Sequence, residues 1–190
     1  EKLYGINFQG DEILLVYHST TTQLEKNTAQ IYNILNSVVK LGHTCIIIAP
    51  NSDAGRDKIF CILQSYSKKY KFIKMFLTLP RSDYLGMLKN CGLLLGNSSS
   101  GIIEASYFQT SVVNIGIRQK NRERGNNVID VNTKSENSLY KIIQKKLKSK
   151  KSKKLNYNSP FGNGGASQKI VTHLENISLG KDLIQKELSY

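Results

Sequence analysis

Gly92-Leu93-Leu94-Leu95-Gly96-Asn97-Ser98-Ser99-Ser100-Gly101, running into Ile102-Ile103-Glu104-Ala105, is the stretch that decides the fold. An apolar run ends in glycine, an asparagine and three serines follow, and a helix-compatible segment begins. This pattern reads as a buried strand feeding a small-residue turn at a helix N-terminus. The first N–H groups of a helix have no intrahelical partner, and the helix dipole places partial positive charge beside them. With three hydroxyls added, the turn suits an anion rich in acceptor oxygens, a phosphate above all. An ordinary N-cap explains the same residues, because serine and asparagine are favoured there whatever the function.

Outward from this stretch the chain alternates between two kinds of pattern. Apolar runs predict strands over residues 13–17, 44–49, 72–76, 93–95, 112–114 and 128–130. Helical spacing predicts helices over 23–41, 54–69, 82–90, 99–108, 135–148, 166–177 and 181–188. In the first of these, Ile31, Leu35, Val38 and Val39 fall on one face and Gly42 closes the run. Several strands are apolar throughout, which is the mark of a parallel sheet covered on both faces. The expected class is therefore α/β with a doubly wound parallel sheet, in which ligands collect at the C-terminal strand edges.

That rule gathers the polar candidates on one rim. His18 follows the first strand, and Asn51, Asp53, Ala54 and Gly55 follow the second. Leu79 and Pro80 follow the third, Ser98 to Ser100 the fourth, and Arg118 the fifth. Each also has a plainer reading. A lone histidine after a strand is commonly a packed or surface residue. Glu104 reads equally as a solvated helix residue, Arg118 as a partner of Glu123, and Asp53 as an N-cap for the following helix. Gly162, Gly164 and Gly165 form a turn without the lysine or threonine of a P-loop.

Composition bounds what the chain can be. Its 190 residues are one domain's worth, enough to bury a core. No apolar run approaches the roughly 18 residues of a membrane span, so no membrane role is expected. Cys45, Cys61 and Cys91 are scattered, without a Cys-x-x-Cys pair or Cys/His cluster. Neither disulfide nor metal is expected, and a reduced, cytoplasmic setting fits. The net charge of +13 is uneven, with seven lysines between Lys145 and Lys154. Such a run can bind nucleic acid by counterion release. It lacks interleaved aromatics and any nucleic-acid module signature, so a solvated helix end and loop is expected instead. The chain opens on Glu1 rather than methionine and is expected to be a piece of a longer protein.

Gly96-Asn97-Ser98-Ser99-Ser100-Gly101-Ile102-Ile103-Glu104-Ala105, followed by Val113-Asn114-Ile115-Gly116-Ile117-Arg118-Gln119-Lys120-Asn121-Arg122, resembles the C-terminal half of UDP-N-acetylglucosamine 2-epimerases. The likeness is greatest to the hydrolysing kind that release N-acetylmannosamine for sialic acid synthesis. Ala49-Pro50-Asn51-Ser52-Asp53-Ala54-Gly55, Leu79-Pro80-Arg81 with Tyr84-Leu85, and Ser159-Pro160-Phe161-Gly162-Asn163-Gly164-Gly165-Ala166-Ser167 support it. The matches run in order through nearly the whole chain. One departure is Ser19, where the family usually has proline after the histidine.

The resemblance implies a GT-B-type fold of two Rossmann-like halves with UDP-sugar between them. Residues 1–190, with C-terminal helices over 166–190, would be the nucleotide-holding half. His18, Ser98 and Ser99 would contact the diphosphate, with His18 also the one candidate catalytic residue on this chain. Glu104 would take the ribose hydroxyls, Asn51 and the Leu79 backbone would frame the nucleotide pocket, and Arg118 would offset phosphate charge. The residue types suit these roles, since charge-assisted donors match pyrophosphate and a carboxylate matches a cis-diol. The family reaction loses UDP through a 2-acetamidoglucal-type intermediate, then adds water, with no cofactor. Its acid/base carboxylates lie largely in the other half, so this chain alone is expected to be inactive. The full-length protein is expected to form a homo-oligomer. Three alternatives stay open: a GT-B glycosyltransferase, an epimerase acting on a 2,4-diacetamido UDP-sugar, and a non-catalytic nucleotide-sugar-binding module. The Asn-Ser-Ser-Ser-Gly and Arg-Gln elements weigh against the glycosyltransferase.

Overall fold

The structure, a computed structural model, describes residues 3–132, 135–152, 157–162 and 164–180, the side chains of 149–152 aside. The chain divides into two units, Glu1–Pro160 and Phe161–Tyr190. The first unit holds a six-stranded sheet of β1 (Ile13–Val16), β2 (Cys45–Ile48), β3 (Ile73–Phe76), β4 (Leu93–Gly96), β5 (Ser111–Ile115) and β6 (Val128–Val131). Every pairing is parallel and the strand order is β3-β2-β1-β4-β5-β6. The expected doubly wound α/β sheet is present. Chain order reverses between β1 and β4, which makes that gap the topological switch point.

Residue alternation explains how both faces are filled. Ile13, Leu15 and Tyr17 point to one face, where Ile31, Ile34, Leu35 and Val38 of α1 (Leu24–Leu41) meet them. Leu14 and Val16 point to the other, against Met87 and Leu88 of α3 (Arg81–Asn90). Burying each such side chain contributes about 1.5–3 kcal/mol. The first face also takes Ile59 and Leu63 of α2 (Arg56–Lys69). Leu139, Ile143 and Leu147 of α5 (Glu136–Ser152), one turn apart, complete it. α1 ends as its spacing predicts, on Gly42 at φ 70° with its N–H on the Val38 carbonyl.

Two expectations need correction. The helix predicted over 99–108 is a 3₁₀ turn, Ser99–Gly101, followed by a short α4, Glu104–Tyr107. Serine side chains compete for backbone donors here, as Ser98 Oγ accepts the Ser100 N–H. Gly101 lies against the sheet so closely that a Cβ would come within 2.9 Å of Val112 Cγ1. Also, α5 runs on to Ser152, so the lysine run up to that point is helix rather than loop. Lys153, Lys154 and the helix expected over 181–188 lie outside the described residues. The second unit carries α6 (Ala166–Asn176). No helix among the described residues is long and apolar enough to cross a membrane.

Gly96 is where the fold and the rim meet. Its φ is +134°, and a Cβ there would stand 2.0 Å from the Val16 carbonyl oxygen on the neighbouring strand. Neither backbone can yield without breaking the β1–β4 ladder. Gly96→Ala is therefore expected to cost about 2–4 kcal/mol of stability by urea unfolding. A loss under about 0.5 kcal/mol, the level of an ordinary surface substitution, would contradict this close approach.

Candidate functional site

Because all six strands run in parallel, the loops after them converge on one edge, and the structure brings most of the predicted residues together there. At the switch point the Asn97 side chain holds the His18 main chain in both directions. His18 N–H donates to Asn97 Oδ1 (2.7 Å), and Asn97 Nδ2 donates to the His18 carbonyl (2.9 Å). Asn97 is fully buried. Its own carbonyl is held by Gln119 Nε2 (2.9 Å) and approached by Arg118 Nη1 (3.4 Å). Three loops, after β1, β4 and β5, are thus tied through one asparagine.

The His18 ring is fixed from another side. Asn51 N–H, after β2, donates to His18 Nδ1 at 3.1 Å. A ring nitrogen that accepts carries no proton, so the neutral imidazole bears its hydrogen on Nε2. Burial first, and the Arg118 charge second, lower the His18 pKa from 6.5 to about 4, against smaller opposing effects of Asp53 and the Asn51 bond. His18 is therefore a neutral Nε2–H donor at physiological pH.

Asp53 does not cap the second helix. α2 begins at Arg56 after Gly55 in the left-handed region, with no side-chain cap. The Asp53 carboxylate instead accepts from Asn51 Nδ2 (2.7 Å) and pairs with Arg118 Nη2 (3.4 Å). The Asn51 bond first, and Arg118 with it, hold this carboxyl below its usual range. Arg118 accordingly turns to Asp53, not to Glu123 as its plainer reading supposed. Ser19, Thr20, Thr21, Thr22, Asp53, Ile117 and Arg118 line a cleft of about 340 Å³ beside this group.

Ser19, the departure from the family pattern, is 2% exposed and accepts from Asn27 Nδ2 of α1 at 2.9 Å. Asn27 Oδ1 takes the Thr20 N–H (3.1 Å) and the Tyr17 hydroxyl (3.2 Å). The hydroxyl thus anchors the loop that carries His18.

On the other side of the switch point lies the serine turn. Ser98 and Ser99 are half-buried and precede the first hydrogen bond of the 3₁₀ turn, from Gly101 N–H to the Ser98 carbonyl. With α4 so short, little macrodipole backs this turn, and hydroxyls with local N–H groups carry its donor capacity. Ser98 Oγ lies 2.9 Å from Ser100 Oγ, which in turn bonds the Tyr84 hydroxyl. Glu104 pairs with Arg81 across 3.6 Å, bringing the loop of Leu79 and Pro80 beside α4. Arg81 is largely exposed, so this pair contributes little stability. The Leu79 side chain packs on the second core cluster.

Sequence reasoning passed over Asn97, Gln119 and Tyr84. Asn97 sat inside the decisive motif, but its clamp joins residues 79 apart and has no local signal. Gln119 is 2% exposed and its Oε1 has no described partner. Among the described residues no group of three or more His, Cys, Asp or Glu could hold a metal ion.

The family model described as UDP-N-acetylglucosamine 2-epimerase matches residues 3–175. A Legionella pneumophila protein named UDP-N,N'-diacetylbacillosamine 2-epimerase (hydrolyzing) is 32% identical over 188 residues, 98% of this chain and 48% of its own. Polysialic acid biosynthesis protein P7 of Escherichia coli is 40% identical over 121 residues, 62% of this chain and 30% of its own. Among solved structures, the Methanocaldococcus jannaschii UDP-GlcNAc 2-epimerase in complex with UDP-GlcNAc and UDP aligns with a TM-score of 0.60 at 20% identity. That alignment covers 87% of this chain and 45% of the other. The chain thus spans about half, or less, of the length of the proteins it matches. It belongs to the UDP-N-acetylglucosamine 2-epimerase family.

Proposed function

We propose that this chain is the C-terminal, nucleotide-holding half of a hydrolysing UDP-N-acetylglucosamine 2-epimerase. The whole cytoplasmic, homo-oligomeric enzyme would release UDP and N-acetylmannosamine for sialic-acid-type sugar synthesis. The observation that carries this reading is the convergence of His18, the Ser98–Ser99 turn and Arg118 at the β1/β4 switch point, in a chain of this family.

The reaction breaks the C1–O bond to UDP, and its electron pair leaves on the diphosphate as the C2 proton is removed. Water then adds to the resulting glucal. Negative charge grows on the leaving phosphate, so pre-placed donors there hold the transition state more strongly than the ground state. His18 Nε2–H, the serine hydroxyls and Arg118 would supply them. Glu104 would bind the ribose diol, giving up its exposed partner Arg81 at little cost. Asn51 and the Leu79 backbone would border the nucleotide.

One observation favours a second substrate. The Legionella relative is named for a 2,4-diacetamido sugar and matches 98% of this chain. The two sugars differ at C4 and C6, and the nucleotide-holding groups would serve both.

Two outcomes follow. In the ligand-free chain, His18 should titrate by NMR near pH 4, and UDP should raise that midpoint, because a nearby anion favours the imidazolium. The folded value lies below the unfolded one. The neutral ring therefore adds stability above about pH 6.5 that fades as pH falls toward 4. A midpoint near 6.5 in the free chain would contradict the burial that holds the His18 ring neutral. Second, a full-length protein given UDP-N-acetylglucosamine should release free N-acetylmannosamine, while this chain alone should release none, since half a cleft neither positions nor encloses the sugar. If the full-length protein turns over only the 2,4-diacetamido sugar, the second reading holds. Transfer of intact sugar to an acceptor would overturn both.

A further inference from the structure

We propose that the Asp53 carboxylate is a specificity-determining group, which weakens the hold on free UDP relative to an intact UDP-sugar and so favours product release. This rests on the nucleotide-binding reading above and names the form of the ligand that the same site prefers.

The ion pair of Asp53 Oδ2 with Arg118 Nη2, 3.4 Å apart, joins the loop after β2 to the loop after β5. Strands β1 and β4 lie between those two, so the pair reaches across the switch point where His18 and Asn97 sit. The same carboxylate oxygen accepts from Asn51 Nδ2 (2.7 Å), while Asn51 N–H donates to the His18 ring (3.1 Å). Asp53 is thus tied to two of the groups assigned to the diphosphate, Arg118 directly and His18 through Asn51. Both of its bonds fall on Oδ2, and among the described residues Oδ1 has no hydrogen-bond partner. The side chain is 35% exposed and lines the cleft of Ser19 to Thr22, so a ligand meets its charge.

The direction of the ligand follows from the sheet face that each group serves. Glu104 and its partner Arg81 belong to the side of α3 and α4, where Met87 and Ala105 share one core cluster. Thr20 to Thr22 lead into α1, whose core residues lie on the opposite face. A ribose held by Glu104, with phosphates over the serine turn and His18, directs the sugar-bearing phosphate toward Arg118 and Asp53.

That phosphate changes charge in the proposed reaction. In the intact UDP-sugar it is esterified and carries one negative charge. Once the C1–O electron pair has left on its oxygen it is terminal, and with a second pKa of about 6 it carries nearly two charges at neutral pH. Arg118 attracts both forms. A carboxylate beside Arg118 repels both, and repels the doubly charged product more. Asp53 stays ionised at neutral pH, because the Asn51 bond, and Arg118 with it, hold its carboxyl below the usual range. Donors that steady a leaving group also hold it afterwards, and product release sets the rate of many enzymes. Asp53 offsets that retention.

Calorimetry of this chain at neutral pH, with UDP and with UDP-N-acetylglucosamine, tests the inference. Asp53→Asn removes the charge and keeps an acceptor for Asn51; Asp53→Ser serves if that variant does not fold. The ratio of UDP affinity to UDP-N-acetylglucosamine affinity should rise about 5-fold in either variant, the effect of one further charge in part-solvated surroundings. Asp53→Glu, which keeps the charge, should retain the ratio of the unmodified chain. A ratio that stays the same or falls in Asp53→Asn would show a merely structural role and overturn the inference, as would an equal rise in Asp53→Glu. Failure of the unmodified chain to bind either ligand would instead defeat the nucleotide-binding reading, and this inference with it.

Discussion

The paired bonds between the Asn97 side chain and the His18 main chain bridge the one place in the sheet where chain order reverses. A parallel sheet leaves a crevice at such a point, because the loops on either side depart in opposite directions. Left alone, two loops flanking a crevice would move independently. Here Gly96 lets β4 approach the Val16 carbonyl without a Cβ in the way, and Asn97 N–H then bonds that same oxygen at 3.1 Å. Its buried amide reaches across to His18. The geometry of His18, the serine turn and the loop of Arg118 and Gln119 all follow from this crossing.

The electrostatics of the rim are more restrained than a net charge of +13 would lead one to expect. Its central histidine is neutral, its serines are neutral, and Arg118 is partly answered by Asp53. On the proposed reading, such a site would recognise an anion through directed hydrogen bonds rather than bulk charge. That would suit the proposed leaving group, because donors at fixed positions distinguish where charge develops from where it merely resides.

The sheet and most helices were legible because their signals are local. Four-residue apolar strands buried on both faces, and the Ile31, Leu35, Val38 stripe of α1 closed by Gly42, follow from composition and period. The gathering of candidates on one rim followed from parallel topology alone. What escaped was non-local or competitive. Side-chain hydroxyls and the close approach at Gly101 overrode helix spacing after Ser98. Asp53 had the position and chemistry of a cap, but Gly55 took the helix start and Arg118 took the carboxylate. Ser19 in place of proline was legible as a difference, yet its bond to Asn27 depends on where α1 packs. Family likeness singled out the rim residues, but the His18 tautomer and the Asn97 clamp are features of the three-dimensional structure alone.

The central claim is that the diphosphate of UDP is held at the β1/β4 switch point by neutral, pre-oriented donors. A crystal structure of this chain with UDP tests it most directly. The account predicts phosphate oxygens within hydrogen-bond distance of His18 Nε2 and of the Ser98 and Ser99 turn, with the bonds of Asn97 to His18 and of Asn51 to Nδ1 intact. A diphosphate seated elsewhere, such as along the lysines of α5, or a His18 ring turned so that Nε2 faces away from it, would contradict the account.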